Sequence, residues 1–194
     1  MNKLPEICIT IAGCVALLLC NGPNSYSKEP SAATDAAAAK TFTVPDKFSI
    51  SDPGDGYQWS LHREMEHQGI KMRYYALAKE GSQSAIVLGV QERTVDSDPA
   101  RITAIKGHYN GTWEGLMATG FTELKARRPK LEPPVPDRVE FSITSKDPLG
   151  GESYIYFLTV FGRSVYSVQA KASTLEEVRR MYEIANSFQE LPAK

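Results

Sequence analysis

The sequence predicts an α+β fold, in which an antiparallel β-sheet carries helices packed on its faces as an αβα sandwich. Several short segments alternate apolar and polar residues, which is typical of half-buried β-strands. Two longer segments, one central and one near the C-terminus, repeat apolar residues at the three-to-four-residue spacing of amphipathic helices. Strands and helices are segregated along the chain, and this order favours an antiparallel sheet over βαβ units.

The first half of the domain is predicted to be a β-meander. Its alternating apolar positions are Phe42, Val44, Phe48, Ile50, Tyr57, Trp59 and Leu61. Residues 52–56 contain proline, glycine and aspartate, and they predict a turn between the second and third strands. Residues 70–76 and 86–90 alternate again on either side of a turn at residues 80–82, which predicts an antiparallel hairpin.

A long central helix follows. Asp98 and Pro99 predict its start, as an N-cap and a proline at the first helical position. Its apolar face is formed by Ile102, Ile105, Tyr109, Trp113, Leu116 and Leu124. The helix is expected to end in the basic residues at 125–130, where cations suit its negative pole, and before the proline-rich loop at 133–136.

The second half is predicted to contain three strands and a C-terminal helix. Residues 139–143 alternate, residues 154–161 are apolar on both faces as in a central strand, and a tight turn at residues 162–163 leads to a hairpin partner. Thr174 and Glu177 predict a capping box at the start of the last helix. The apolar face of that helix contains Leu175, Val178, Met181, Tyr182, Ala185 and Phe188.

Residues 1–27 look like an export signal. An apolar run at residues 7–19 follows a single basic residue, Lys3, and is shorter than the run of about 20 residues that spans a bilayer. Residues 28–40 are predicted to be a disordered tether rich in alanine, serine and proline, and residues 41–191 a single globular domain. The protein is therefore expected to be exported, and to be periplasmic, anchored in the envelope or secreted.

Two routes of processing remain open. Signal peptidase could cut after Ser27 and leave Lys28 as the first residue. Alternatively, the segment resembles a bacterial lipoprotein signal, in which Cys14 or Cys20 would be acylated and become the N-terminus. All three cysteines lie in this segment, so the domain has no disulfide framework, no zinc cluster of the cysteine kind and no thiol nucleophile.

The charge balance and the motif content argue against several functions. The chain carries 22 basic and 23 acidic residues, which predicts no nucleic-acid partner and a membrane contact only through a lipid anchor. No Gly-x-Ser-x-Gly elbow, phosphate loop or dinucleotide fingerprint occurs in the sequence. We therefore expect a protein that is not an enzyme and needs no cofactor.

One cluster of histidines and carboxylates supports an alternative function, a small metal-dependent hydrolase. It contains His62, Glu64 and His67, and His108 is the remaining histidine. The histidines of the zinc-protease helix are four residues apart, whereas His62 and His67 are separated by one residue more. The segment is therefore interpreted as a solvated polar turn, and no metal site is predicted.

Two further segments are candidates for partner binding. The basic residues at 125–130 could bind an acidic or phosphate-rich partner, although such a run is more often a solvated helix end. Aromatic residues are dense on two adjacent predicted strands, at Tyr154, Tyr156, Phe157, Phe161 and Tyr166. They are expected to build the core, and any exposed remainder would form a binding face.

The order of elements and two short motifs resemble the PsbP-like family, which includes exported bacterial lipoproteins, the PsbP protein of photosystem II and the Ran-binding Mog-type proteins. The motifs are Phe48-Ser49-Ile50-Ser51-Asp52-Pro53, with Trp59 soon after, and Ala185-Asn186-Ser187-Phe188. The resemblance covers essentially the whole domain. It implies an αβα sandwich that binds other proteins and is not generally an enzyme, and it carries over no functional residue.

The sequence thus leads to one expected function and two alternatives. The expected function is that of an exported, non-catalytic protein-binding or accessory domain of the bacterial cell envelope. Such a domain would recognise another protein through its sheet face or through a groove between helix and sheet. The alternatives are the hydrolase described above and a purely structural envelope protein.

Overall fold

The structure, a computed structural model, describes residues 40–192. The predicted signal at residues 1–27 and the tether up to residue 39 lie outside the described residues. So do the processing candidates Cys14, Cys20, Ser27 and Lys28. In the described part, no helix is long and apolar enough to cross a membrane.

The described chain forms two helices and ten strands. The strands are β1 (Thr41–Val44), β2 (Phe48–Ser51), β3 (Gln58–His67), β4 (Ile70–Ala78), β5 (Ala85–Gln91), β6 (Thr122–Arg127), β7 (Arg138–Lys146), β8 (Glu152–Phe161), β9 (Val165–Ala172) and β10 (Gln189–Glu190). The helices are α1 (Asp98–Ala118) and α2 (Leu175–Asn186).

Most of the strands form one large antiparallel sheet. Its seven strands follow the order β3-β4-β5-β9-β8-β7-β6, and β1, β2 and β10 form a second, three-stranded sheet. The predicted mixed α and β composition and the antiparallel pairing are confirmed. The predicted hairpins β4–β5 and β8–β9 are confirmed as well, and β8 is an interior strand with a neighbour on each side.

Alternate residues of the large sheet pack on different sides. On one side lies α1, and the residues buried there include Tyr109, Leu116, Phe141, Ile143, Ile155 and Phe157. On the other side lies α2, and the residues buried there include Leu88, Leu158, Tyr166, Val168, Met181 and Ile184. Phe157 and Leu158 are neighbours in β8 yet belong to different clusters, because successive side chains of a strand point to opposite faces.

The first strands do not continue as the predicted meander. β2 pairs with β1 and with β10, and β3 begins the large sheet. Gly54, Asp55 and Gly56, which separate the two sheets, all have positive φ. Phe48 and Ile50 are 0% and 1% exposed in the cluster beside α2. The meander prediction was wrong only between β2 and β3, since β1–β2, β3–β4 and β4–β5 pair as antiparallel neighbours. β10 takes the place beside β2, and local alternation does not encode a partner from the far end of the chain.

The central helix ends earlier than predicted, at Ala118 instead of near Leu124. Gly120 has φ +88°. Its N–H bonds to the carbonyl of Met117 at 3.1 Å, and the N–H of Phe121 bonds to the carbonyl of Leu116 at 3.0 Å. This is a Schellman motif, in which glycine adopts the left-handed conformation that ends a helix. The chain then turns into β6, so Leu124 lies on a strand.

The start of each helix follows the sequence closely. In α1 the N-cap is Ser97, one residue before the predicted Asp98, and Asp98 Oδ1 accepts a hydrogen bond from the Val135 N–H at 2.9 Å. In α2 the N-cap is Thr174, as predicted, and its hydroxyl accepts a hydrogen bond from the Glu177 N–H at 3.3 Å. The start of α2 is therefore capped by a side chain that satisfies one of its unpaired N–H groups, whereas Ser97 makes no such hydrogen bond at the start of α1 within the described chain.

Candidate functional site

The face of the large sheet that carries α2 is only partly covered by it. α2 packs mainly against β9, β8, β5 and β2. Towards β7 and β6 lies a groove of about 810 Å³, bounded by α2 on one side and by the end of β6 on the other. Ligand-binding clefts span roughly 300–1,000 Å³, so this groove, termed the α2–β6 groove below, is large enough to hold a ligand.

Two rows of side chains cross the floor of the groove. In the first row, Arg127 lies opposite Ser142, Ser142 opposite Tyr156, and Tyr156 opposite Ala170. Directly opposed residues of antiparallel strands point to the same face of a sheet. All four line the groove. The row therefore passes from a cation at the sheet edge, through a hydroxyl and a phenol, to a methyl group beside α2.

The second row repeats this order two residues further along the strands. Lys125 lies opposite Thr144, Thr144 opposite Tyr154, and Tyr154 opposite Ala172. Thr144, Tyr154 and Ala172 line the groove, and Lys125 stands at the edge-strand end of their row. In both rows, therefore, the side chains of the groove floor change from charged at β6 to apolar beside α2.

The wall on the helix side is apolar and partly exposed. Leu175 is 72% exposed and Tyr182 is 45% exposed, and both line the groove with Val178. The ring of Tyr182 meets the ring of Tyr156 edge-on, with 4.9 Å between the centroids. The sequence placed Leu175 and Tyr182 on one buried helical face with Met181. The structure buries Met181 but leaves the margin of that face open to the groove.

The two tyrosines of the floor remain neutral at physiological pH. Burial raises the pKa of Tyr156 far above its ordinary value, and the side-chain amide of Asn186 donates to its hydroxyl oxygen at 3.1 Å. The hydroxyl of Tyr154 donates to Glu152, and this hydrogen bond raises the pKa of Tyr154. Both phenols can therefore act as hydrogen-bonding groups next to an apolar wall.

Four charged residues line the groove. Three are arginines, Arg127, Arg128 and Arg179, and the fourth is Glu140. Arg179 pairs with Glu183 at 3.0 Å, and Arg128 Nε donates to the hydroxyl of Tyr109 at 3.0 Å. Over residues 40–192, Arg127 makes no side-chain hydrogen bond or ion pair. The sequence placed Arg127 in a solvated helix end. In the structure it lies on β6, at the rim of the groove.

The histidine and carboxylate cluster lies in β3, so its interpretation as a polar turn was wrong. His62, Glu64 and His67 all belong to this strand, and the chain turns at Gln68 and Gly69, which both have positive φ. β3 is an edge strand, and most of its side chains are exposed. A polar sequence is compatible with such a strand because its faces and its free edge meet solvent.

β3 does not bring the three side chains together. Glu64 accepts a hydrogen bond from Arg73 Nε at 2.5 Å, whereas His67, three positions further on, points to the opposite face. His62 lies in a β-bulge, where burial, and to a lesser extent Arg63, lowers its pKa. Among the described residues, no three His, Cys, Asp or Glu side chains are placed to hold a metal ion.

His108 lies apart from this cluster, on α1, with its side chain buried between this helix and the large sheet. Its Nδ1 is 3.3 Å from Oγ1 of Thr159 on β8. Burial, and then the charge of Arg93, lower the pKa of His108 to about 4. The ring is therefore neutral at physiological pH and forms part of the packing between helix and sheet.

The fold and the groove define a mixed α/β protein, built on an antiparallel sheet, with an open cleft between one helix and one sheet edge. No protein-family model matches the chain, and no curated protein is similar enough to count as a relative.

Proposed function

We propose that the chain is a non-catalytic protein-binding or accessory domain, and that the α2–β6 groove receives a segment of its partner protein. The observation that carries the proposal is the exposed apolar wall, where Leu175 and Tyr182 are 72% and 45% exposed beside Tyr156. Large apolar side chains that remain exposed in a concave surface mark interaction sites, since their burial by a partner is favourable.

The dimensions of the groove suit a polypeptide segment. Its lining follows β7 over residues 140–144, which corresponds to about 15 Å of extended chain at about 3.4 Å per residue. Tyrosine, serine and threonine side chains provide apolar area together with hydrogen-bonding groups. Protein-binding surfaces use this combination, because rigid aromatic rings lose little conformational entropy on binding.

We infer the finer fold description and the setting from the same features. The packing of α1 and α2 on opposite sides of the large sheet supports an αβα sandwich. That layer order is the one that the resemblance to the PsbP-like family implies, so membership of this family is part of the proposal. The predicted signal at residues 1–27 supports an exported domain of the cell envelope.

Site-specific photocrosslinking tests the groove in the full-length chain, in the cells that produce it. The photocrosslinking residue benzoylphenylalanine replaces Leu175 in one variant and Leu61 in the other. Leu61 is 51% exposed on β3, at the opposite edge of the large sheet. We expect a discrete adduct with a second polypeptide from position 175 and none from position 61. Equal adducts from both positions, or none from either, would contradict the proposal.

A matched pair of substitutions shows whether an adduct reports groove binding. The crosslinker is placed at Tyr182, and Leu175→Glu is compared with Leu61→Glu. An acidic residue is tolerated in the first turn of a helix, so Leu175→Glu changes the groove without unfolding α2. We expect the adduct to fall several-fold with Leu175→Glu and to stay unchanged with Leu61→Glu. An adduct that resists Leu175→Glu would show that the partner binds elsewhere.

A further inference from the structure

We propose that the occupant of the α2–β6 groove is an extended, acidic segment of a partner protein, in which carboxylate side chains alternate with apolar ones. This inference rests on the proposed function and adds the chemistry of the partner. It follows from three properties of the groove: the order of side chains across its floor, the spacing of the two cations on β6, and the absence of an ionic or hydrogen-bonding partner for Arg127 over residues 40–192.

The order of side chains across the floor sets the orientation of the occupant. In both rows the cation lies on β6 and the methyl group lies beside α2, with the phenols of Tyr156 and Tyr154 between them. A segment that runs along the strands would have one side towards Leu175 and Tyr182 and the other towards β6. Its apolar side chains would be buried against α2, while its polar side chains would meet the cations.

The spacing of the cations matches an extended backbone. Lys125 and Arg127 are alternate residues of one strand, so their Cα atoms lie about 7 Å apart. Alternate side chains of an extended segment have the same separation and point to the same side. Two carboxylates in alternate positions can therefore meet Lys125 and Arg127 together, while the residues between them point towards α2.

The charge of the lining favours carboxylates over cations. Two of the three arginines in the lining are already engaged: Arg128 donates to Tyr109 on the α1 side of the sheet, and Arg179 pairs with Glu183. Arg127 has no ionic or hydrogen-bonding partner over residues 40–192. A guanidinium group can bind a carboxylate through two parallel hydrogen bonds, which gives both strength and geometric selectivity. An acidic occupant would use Arg127 without breaking an existing ion pair.

A fluorescence anisotropy titration of the full-length chain tests the inference. The probe is a short fluorescein-labelled peptide in which glutamate and leucine alternate. We expect Arg127→Glu to weaken binding about tenfold, the effect of losing about 1.4 kcal/mol, and Lys125→Glu to weaken it several-fold. The affinity should also fall as salt is added, because exposed charges are screened.

Lys106→Glu provides the matched control. Lys106 is exposed on α1 and is not part of the groove lining. Its substitution by glutamate changes the net charge of the protein by the same amount as Lys125→Glu. It should leave the affinity unchanged. An equal loss of affinity with Lys106→Glu and Lys125→Glu would show that only the net charge of the protein matters, and it would overturn the inference.

Two further probes separate this inference from the proposed function. If a glutamine–leucine peptide binds as tightly as the acidic one, and Leu175→Glu weakens both, the groove binds peptides but the acidic chemistry is wrong. If neither peptide binds and the adduct from position 182 is insensitive to Leu175→Glu, the groove function itself is wrong. If only vesicles containing phosphatidylglycerol bind, and Arg127→Glu abolishes that binding, the occupant is a membrane surface and the inference is overturned.

Discussion

His108 shows at the scale of one residue how burial determines chemistry. Its ring lies between α1 and the large sheet, within hydrogen-bonding distance of Thr159. A cavity of about 20 Å³ adjoins it, lined also by Thr112, Ser167 and Gln169. A space of this size can hold about one water molecule. The neutral ring can make its hydrogen bonds to such a water and to the neutral polar side chains around it. The cavity lining in the described chain contains no carboxylate that would stabilise the charged form.

The pKa of His108 predicts a loss of stability in mild acid. The folded state holds this pKa at about 4, below its ordinary value of 6.5. Between these values the unfolded chain binds a proton that the folded chain does not bind, so the free energy of unfolding falls as the pH drops below 6.5. The pKa difference between the folded and unfolded states corresponds to a loss of about 3 kcal/mol in the free energy of unfolding, at about 1.4 kcal/mol per pKa unit. Urea unfolding at pH 7 and pH 4.5 measures the effect.

His108→Gln isolates the contribution of this one residue. Glutamine keeps a polar side chain at the site but does not titrate, so the variant should lose clearly less stability than the parent chain between the two pH values. Carboxylates elsewhere contribute equally to both proteins and cancel in the comparison. An identical loss in the variant and the parent would refute the assignment to His108.

At the scale of elements, Gly120 determines whether the residues that lead into the basic segment 125–130 continue a helix or form a strand. Because Gly120 ends α1, the residues that follow form β6 at the edge of the large sheet. Had the helix continued, Lys125 and Arg127 would lie just over half a turn apart, about 200°, on different sides of it. On a strand they point to one face and stand at the ends of the two floor rows.

Gly120→Ala should lower the free energy of unfolding by about 1–2 kcal/mol. The position has φ +88°, which strains a residue with a Cβ, and that Cβ would lie 3.4 Å from Cβ of Pro148. Gly120→Asn should cost less than Gly120→Ala, because asparagine tolerates the left-handed region. Thermal or urea unfolding measures both variants. Equal stability of Gly120→Ala and the parent would contradict the role given to this glycine.

At the scale of the whole molecule, the two sheets are joined by aromatic packing near the C-terminus. Phe188 follows α2 and is 2% exposed. Its ring centroid lies 5.8 Å from that of Phe48 in the small sheet and 4.9 Å from that of Tyr166 in the large sheet. β10 then pairs with β2. Residues from both ends of the described chain thus share one cluster, which should make unfolding cooperative.

Phe188→Ala should lower the free energy of unfolding by about 3–5 kcal/mol, because it removes a buried ring and leaves a cavity between the sheets. Leu175→Ala is the control, since Leu175 is 72% exposed and its truncation should cost less than about 0.5 kcal/mol. Urea unfolding followed by circular dichroism measures both. Similar losses for the two variants would show that Phe188 does not join the sheets as described.

Much of the local structure was predictable from particular residues. Alternation located β4, β5 and β9, and a run that is apolar on both faces located β8. Thr174 with Glu177 marked the start of α2. Gly120 was a usable signal for the end of α1, but the apolar spacing that continues to Leu124 outweighed it in the prediction. The site was predictable only as a general location, a groove between helix and sheet, because Leu175 and Tyr182 fit the pattern of a buried helical face.

The sequence by itself determined the mixed composition of strands and helices, the hairpins and the helix starts, because these depend on residues close together in the chain. Tertiary structure decided that β2 pairs with β10, that α2 leaves part of a sheet face uncovered, and that Arg127 and Lys125 stand opposite Ser142 and Thr144. The physical reason is that sheet pairing and helix placement are set by contacts between distant residues, and a local pattern shows that a residue is apolar or charged without showing what covers it.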